Sequence, residues 1–490
     1  MILTPRRAVS FLILLVAFLC VDIRRVSAFA SPFNPTFMIQ SHAKTAPLSV
    51  ITNSGNKVPS IHTSSTSTAL KSSMEARGGA QEAAAVPKPA KKMRITAFDS
   101  MRFVLCVMIV CGHFISFANP SPFVLKFFSQ HNTVPVSAFF LLSGYVAAYT
   151  STENGQRLPS DKLINTPKPQ WILSKVFGYY PLHLLVLLLF SPLFIYTDLT
   201  YNGPWTAVKN AFMSSTLIQA WFPLSAEVWN APTWYLSALT FATAIMPYAL
   251  TIFAKQDKKE LRRTAVWLWL ATLLPKLAYC HDANVWTLPE GITSPKAHPN
   301  MAFFNEQRFN PLYQVSEILL GAVACRLVML DGADDKIKTP KVTALSSLTP
   351  LAAIVAVMCL RASGVLQVND LLARALVIVP LVCQLFMAVN RSAVQGLKDP
   401  LTSLLSNPVL VWLGGLAFPI YIVHGPIGQV FYKKLIAKRL WGEVLRGPGY
   451  FALYLSVVGV AAVLIQKFFL QSKRVGQASK NAVNQLSQWM

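Results

Sequence analysis

Long apolar runs recur along this chain from residue 103 to residue 471, and they restrict its fold more than any other feature. Many of them approach the length of about 20 residues at which a helix crosses the hydrocarbon core of a bilayer. Only 13% of the residues are charged, whereas about a quarter are charged in an average soluble domain. The sequence therefore predicts an all-α, polytopic integral membrane bundle.

The predicted transmembrane helices number about ten. The segment Trp205–Pro223 is only moderately apolar, and loop charge decides how it is interpreted. If it does not cross, most basic loops lie on one side, the strongest being Lys255–Arg263, and only Lys433–Arg439 falls on the opposite face. The predicted spans lie near residues 103–119, 134–150, 177–196, 232–254, 264–280, 311–330, 345–361, 371–390, 407–430 and 449–471.

The net charge of +24 has two possible explanations, nucleic-acid binding or the positive-inside bias of membrane proteins. The basic residues form short clusters between apolar runs, which favours the second explanation. Membrane lipids are therefore expected partners, and nucleic acid is not. The seven cysteines are scattered singly. They predict small core residues, with no disulfide framework and no metal site.

The amino terminus has the pattern of a targeting sequence. Residues 1–28 combine Arg6 and Arg7 with a short apolar run and a small-x-small end, which is typical of a secretory signal peptide cleaved after Ala28. Residues 29–74 contain no Asp or Glu and are rich in Ser and Thr, as in a plastid transit peptide. With Phe29 at the junction, the arrangement resembles the bipartite presequences of algae with secondary plastids. The alternative is an ordinary signal peptide followed by a disordered lumenal linker.

The remaining boundaries follow from composition. Residues 75–93 are rich in Ala, Lys and Pro and are predicted to form a linker, residues 94–474 the membrane domain, and residues 475–490 a tail. The expected location is a membrane of a secondary plastid, or otherwise the endomembrane system.

The stretch Phe98–Phe114 carries Asp99, Arg102 and His113 within an apolar helix. Steps of three and eleven residues return close to the same helix face, so the three side chains can line one cavity. Arg102 and His113 are separated by roughly 16 Å along the axis, too far to touch. Ionisable groups inside a membrane span are costly and by default indicate function.

Each of these polar residues also has a structural interpretation. A neutral imidazole at His113 could take a proton from a hydroxyl, or could only bond a neighbouring helix. Arg102 could hold phosphate or carboxylate, or could extend to the interface. Glu317 is expected to pair with a buried cation, and His424 lies late in an aromatic-rich helix.

Six blocks between residues 94 and 471, taken in order, resemble the membrane acyltransferase-3 family, the ten-span O-acyltransferases of sugars, polysaccharides and other hydroxyl-bearing acceptors. The blocks are FDSMRFVLCVMIVCGHF (98–114), VPVSAFFLLSGYVAAY (134–149), YYPLHLL (179–185), APTWYLSALTFATAIMP (231–247), NPLYQVSEILLGAVACRL (310–327) and NPVLVWLGGLAFPIYIVHGPI (407–427).

The resemblance implies that His113 is the catalytic base and that Arg102 and Lys175 bind the acyl donor. Asp99, Glu317 and His424 are expected in supporting roles. The implied co-substrate is acyl-CoA, most simply acetyl-CoA, with a carbohydrate or lipid acceptor and no bound cofactor.

Two positions depart from the family pattern. Where the family has Arg shortly before the Pro of its third block, this chain has Gly178, with one basic position kept as Lys175. Lys cannot form the bidentate hydrogen bonds of Arg, so recognition of the donor is expected to be weaker or different. The Glu that usually follows the WxLS motif is replaced by Leu239.

Two other functions compete with acyl transfer. Ten spans with buried charges also suit a transporter or lipid-binding membrane protein, although paired broken helices are not evident. A catalytically silent relative of the family would explain the missing arginine.

Overall fold

The computed structural model describes residues 94–151, 168–287, 300–331, 341–396 and 399–489. Over these ranges the chain is almost wholly helical and contains no strand. Eight helical segments within them are long and apolar enough to cross a membrane. The prediction of an all-α, polytopic membrane bundle is thereby confirmed. Residues 1–93, with the predicted signal peptide, transit segment and linker, lie outside the described ranges.

The first half of the bundle comprises α1 (Ala97–Phe114), α2 (Pro122–Ser129), α3 (Thr133–Ser151), α4 (Lys168–Val176), α5 (Tyr180–Tyr201), α6 (Pro204–Thr216), α7 (Trp234–Lys255) and α8 (Lys258–Asp282). The second half comprises α9 (Met301–Phe309), α10 (Pro311–Met329), α11 (Leu348–Ala362), α12 (Asp370–Val394), α13 (Pro400–Leu405), α14 (Pro408–Tyr432), α15 (Lys434–Trp441), α16 (Pro448–Ile465) and α17 (Lys473–Trp489).

Two of the ten predicted spans are not among the eight apolar segments, and one further segment needs comparison with its helix. The segment Trp205–Pro223 contains α6, which has 13 residues and is too short to cross a bilayer, as predicted. The spans predicted near 264–280 and 345–361 correspond to α8 and α11. Helix α11 has only 15 residues. Helix α8 has 25 residues but is not one of the eight apolar spans.

Two of the described helices begin at an Asn followed directly by a proline. The side chain of Asn310 accepts a hydrogen bond from the backbone N–H of Leu312, and Asn407 does the same for Val409. Pro311 and Pro408 occupy the first helical position, where a missing N–H costs nothing. These local signals determine where α10 and α14 start.

Helix α1 lies between two hydrophobic clusters of buried side chains. Its first turns, Ala97–Met101, pack in a cluster with α3, α7, α10 and α12. Its later turns, from Cys106, pack in a second cluster with α14 and α16. Asp99 therefore lies beside the first cluster and His113 beside the second, and the cavity described below extends along both.

Glycines set the closest helix contacts. A Cβ atom on Gly144 of α3 would overlap the backbone carbonyl of Ile318, and one on Gly321 of α10 would overlap that of Leu141. Small residues allow such backbone approach in membrane bundles, where dispersion replaces the hydrophobic effect. Gly414 likewise lets α14 lie directly against the backbone of Asp99.

Candidate active site

Helix α1 places Asp99, Arg102 and His113 along one wall of a cavity of about 530 Å³. This is the shared face that their spacing predicts. The opposite walls come mainly from α7 and α14 and are largely aromatic. The aromatic residues are Phe139, Tyr179, Trp234, Tyr235, Phe418 and Tyr421.

Arg102 is held in place by a carboxylate one helical turn earlier. Its Nη1 donates to Oδ1 of Asp99 at 2.7 Å, and Nε of Arg94 donates to Oδ2 at 2.9 Å. The Arg102 side chain keeps 33% of its surface exposed, whereas that of Asp99 keeps 12%. Asp99 thus orients Arg102 and leaves part of its guanidinium available to a ligand.

A second, smaller cavity of about 210 Å³ adjoins the first. Arg102 and Tyr179 line both cavities, and Lys175 lines the smaller one. The ammonium of Lys175 lies 5.4 Å from the ring centroid of Trp171, which also lines it. Both residues predicted to bind the donor therefore face the same space, beside the turn that contains Gly178.

His113 and His424 form a hydrogen-bonded pair that brings α1 and α14 together. Nδ1 of His113 lies 3.0 Å from Nε2 of His424, and the two rings are nearly parallel. Nδ1 of His424 in turn lies 2.6 Å from the carbonyl oxygen of Tyr421. His424 is fully buried, whereas His113 lines the cavity.

The chain of contacts assigns the tautomer of each neutral imidazole. A carbonyl oxygen only accepts, so Nδ1 of His424 carries the proton and donates to Tyr421. Nε2 of His424 is then an acceptor, and Nδ1 of His113 donates to it. This leaves Nε2 of His113 with a lone pair, which is what a general base needs.

A proline near the end of α14 explains how His424 is supported. Pro426 has no N–H to bond the carbonyl of Ile422, four residues earlier. The side chain of Asn230 supplies the missing donor, with Nδ2 2.9 Å from that carbonyl oxygen. The hydroxyl of Tyr454 donates to the carbonyl of His424 at 3.0 Å. Two neighbouring elements thus fix the backbone on either side of the imidazole.

Glu317 lies away from the cavity wall, beside a cation that the sequence pattern did not single out. Oε1 of Glu317 lies 3.5 Å from Nη2 of Arg374, and both side chains are almost completely buried. Arg374 lines the larger cavity. Lys276, buried in α8, lies within electrostatic range of both. In the described part of the chain, no group of three His, Cys, Asp or Glu residues is placed to bind a metal.

Two of the cavity's charged residues come from loops or short helices. Glu227 precedes α7 and Arg308 lies in α9, with Oε1 and Nη2 4.0 Å apart. No spacing rule points to them. Arg374 and Lys276 could have been found, because each is an ionisable residue within a predicted span.

A comparison with protein families identifies the family of the chain. The acyltransferase domain of the acyltransferase-3 family matches residues 95–466, most of the chain. The chain belongs to this family. All six predicted site residues of this acyltransferase-3 protein lie within the matched region, and the family indicates a membrane acyltransferase. No curated protein and no solved structure matched the chain.

Proposed function

We propose that this acyltransferase-3 protein transfers an acyl group, most simply acetyl, from acyl-CoA to a hydroxyl of a carbohydrate or lipid acceptor. The observation that carries the proposal is the chain from Tyr421 through His424 to His113, which leaves one basic nitrogen at the wall of a cavity. The family membership supplies the reaction class.

The reaction follows from that nitrogen. Nε2 of His113 takes the proton of the acceptor hydroxyl as its oxygen attacks the thioester carbonyl, forming the new C–O bond. The tetrahedral intermediate then collapses, the C–S bond breaks, and the imidazolium returns the proton to the CoA thiolate. His424 stabilises the imidazolium through the hydrogen bond on Nδ1, as the orienting partner does in other base-assisted acyl transfers.

The donor is assigned to the end of the cavity that holds Arg102. Arg102 and Lys175 offer two cations to the phosphates of CoA, and both line the smaller cavity. The pantetheine arm would pass Tyr179, which lines both cavities, to bring the thioester toward His113. No bound cofactor is required, because acyl-CoA is a co-substrate.

The protein is an integral membrane protein, and we assign it to a secondary plastid on the resemblance of residues 1–74 to a bipartite presequence. In this proposal the basic loops face the compartment that contains CoA. Arg102 lies near the start of α1 and close in sequence to the basic residues before that helix, so this orientation places Arg102 toward CoA.

The proposal is tested in vesicles that contain the purified protein and acetyl-CoA labelled in the acetyl group. Released CoA together with a labelled ester on added membrane glycans or lipids is the expected result. Accumulation of unmodified solute without any ester would indicate a transporter. Absence of both, in protein that unfolds cooperatively, would indicate a catalytically silent relative.

A further inference from the structure

A buried ionic cluster lies behind the larger cavity. Lys276 of α8, Glu317 of α10 and Arg374 of α12 each expose 2% or less of their surface. The three helices place these residues toward the ends remote from the basic loop Lys255–Arg263. Arg374 alone of the three lines the cavity.

The cluster has one more cationic group than it has carboxylates. Arg374 and Glu317 are 3.5 Å apart, which is an ion pair without a close hydrogen bond. Among the described residues, Nζ of Lys276, Nε and Nη2 of Arg374 and both carboxylate oxygens of Glu317 have no hydrogen-bond partner. Leaving such polar groups unmatched inside a membrane protein is costly, and one carboxylate can neutralise only one of the two cations, so the remaining positive charge points to a ligand or a transported charge.

The backbone at Arg374 departs from a regular α-helix. Residues Arg374–Ile378 form a π-helical turn within α12. The indole nitrogen of Trp269 donates to the carbonyl of Ala375 at 2.9 Å, bonding a backbone oxygen of that turn. Such turns are frequent at functional sites, because they move a side chain off the regular helical position.

The other charged residues at this end of the cavity balance each other. Glu227 and Arg308 are 4.0 Å apart, and the guanidinium of Arg308 lies 4.5 Å from the ring centroid of Phe309. Their pair adds no net charge, so the excess positive charge comes from Lys276 and Arg374. Glu227 and the aromatic wall can still bind neutral sugar hydroxyls and ring faces.

We propose that this end of the cavity binds a negatively charged group on the hydroxyl-bearing acceptor, a carboxylate, phosphate or sulfate held by Arg374. This proposal rests on the proposed function, which assigns Arg102 and Lys175 to the donor and so leaves this end of the cavity to the acceptor. Lys276 supplies the second positive charge behind Arg374 and does not touch the ligand.

The experiment measures binding without catalysis, so its outcome is independent of acyl transfer. Wild-type protein in nanodiscs, without acyl-CoA, is titrated calorimetrically with methyl glucoside, methyl glucuronide, methyl glucoside 6-phosphate and methyl glucoside 6-sulfate. We expect the charged sugars to bind at least about tenfold more tightly than the neutral one. The rank among the three identifies the anion.

Substitutions that remove a positive or a negative charge from the cluster distinguish this proposal from simple misfolding. Arg374→Gln and Lys276→Met are expected to remove the preference for charged sugars, whereas Glu317→Gln is expected to increase it. Arg326→Gln is the matched control, because Arg326 is a buried arginine of α10 that does not line the cavity. Equal binding of neutral and charged sugars, no binding of any charged sugar, or a preference that survives both cation variants would overturn the proposal.

Discussion

In the proposed mechanism His113 and His424 act together, because the position of the proton on the His424 ring determines the tautomer of His113. The carbonyl of Tyr421 holds the proton on Nδ1 of His424, so the His424 ring can only accept from His113. Because Nδ1 of His113 donates to Nε2 of His424, the lone pair of His113 is on its own Nε2. In the proposed mechanism His424 is therefore a positioning residue, one step removed from the reacting atoms.

Replacement of His424 should lower kcat and leave the KM for acyl-CoA nearly unchanged. Without an acceptor for Nδ1, the His113 ring loses its orientation and its stabilised imidazolium, and we expect kcat to fall about ten- to a hundredfold in His424→Ala. His424→Gln, which retains an acceptor oxygen, should recover part of the loss. Steady-state kinetics with acetyl-CoA measure both. An unchanged kcat, or a loss confined to KM, would contradict the assigned role.

Substitution of Arg102 should have the opposite kinetic effect. Arg102→Lys keeps the charge but loses the forked contact, so the KM for acyl-CoA should rise about tenfold while kcat changes much less. Arg94→Lys is the control, because Arg94 also pairs with Asp99 but does not line either cavity. A similar rise of KM in both variants would show that Arg102 acts through its ion pair with Asp99 and does not bind the donor directly.

Helix α14 carries His424, and its pattern of backbone hydrogen bonds is interrupted at Pro426. In a membrane, a carbonyl that loses its helical donor needs another partner. Asn230 provides one from the short turn before α7. The site is thus secured by a residue remote in sequence from the histidine whose backbone it supports.

The coupling between Asn230 and Pro426 is open to a double-mutant cycle. Asn230→Ala leaves the carbonyl of Ile422 without its donor and should lower the free energy of unfolding by about 1–3 kcal/mol. In the Pro426→Ala background the helix can supply its own N–H, so the same substitution should cost less. Thermal unfolding in detergent measures both. An equal cost in the two backgrounds would contradict the assigned hydrogen bond.

The contact of α3 with α10 depends on glycine. Gly321→Ala should destabilise the protein by about 1–3 kcal/mol or more, because the added methyl group meets the backbone of Leu141. Gly459→Ala is the matched control, since a Cβ atom at Gly459 in α16 would meet nothing within 4 Å. Unfolding midpoints in detergent give the comparison. Equal midpoints for the two variants would mean that the helices are not so closely packed.

At the scale of the whole molecule, sequence patterns predicted the bundle and the shared face of Asp99, Arg102 and His113. Both follow from hydropathy and helical periodicity, which are local properties. The link from His113 to His424 could not be predicted, because it joins α1 to α14 across 311 residues of chain. Arg308 and Glu227 were missed for the same reason, since only tertiary packing brings a loop and a short helix to the cavity wall.

The targeting prediction is tested by the location of a fluorescent fusion of residues 1–92, expressed in an alga with a secondary plastid. We expect the fusion to reach the plastid and Phe29→Ala to divert it. Phe33→Ala is the control, because it removes a second phenylalanine of the same segment away from the junction. Identical location of both variants would contradict the bipartite interpretation.

The most direct test of acyl transfer at His113 compares two histidines, one that lines the cavity and one that does not. His113→Gln removes the proposed base, whereas His183→Gln removes a histidine of α5 that bonds the carbonyl of Ser214 and does not line the cavity. The measurement is the rate at which labelled acetyl moves from acetyl-CoA to ester. The rate should fall about 10²–10⁴-fold in His113→Gln and stay within a few-fold of wild type in His183→Gln. Transfer at the wild-type rate in His113→Gln would contradict the central claim.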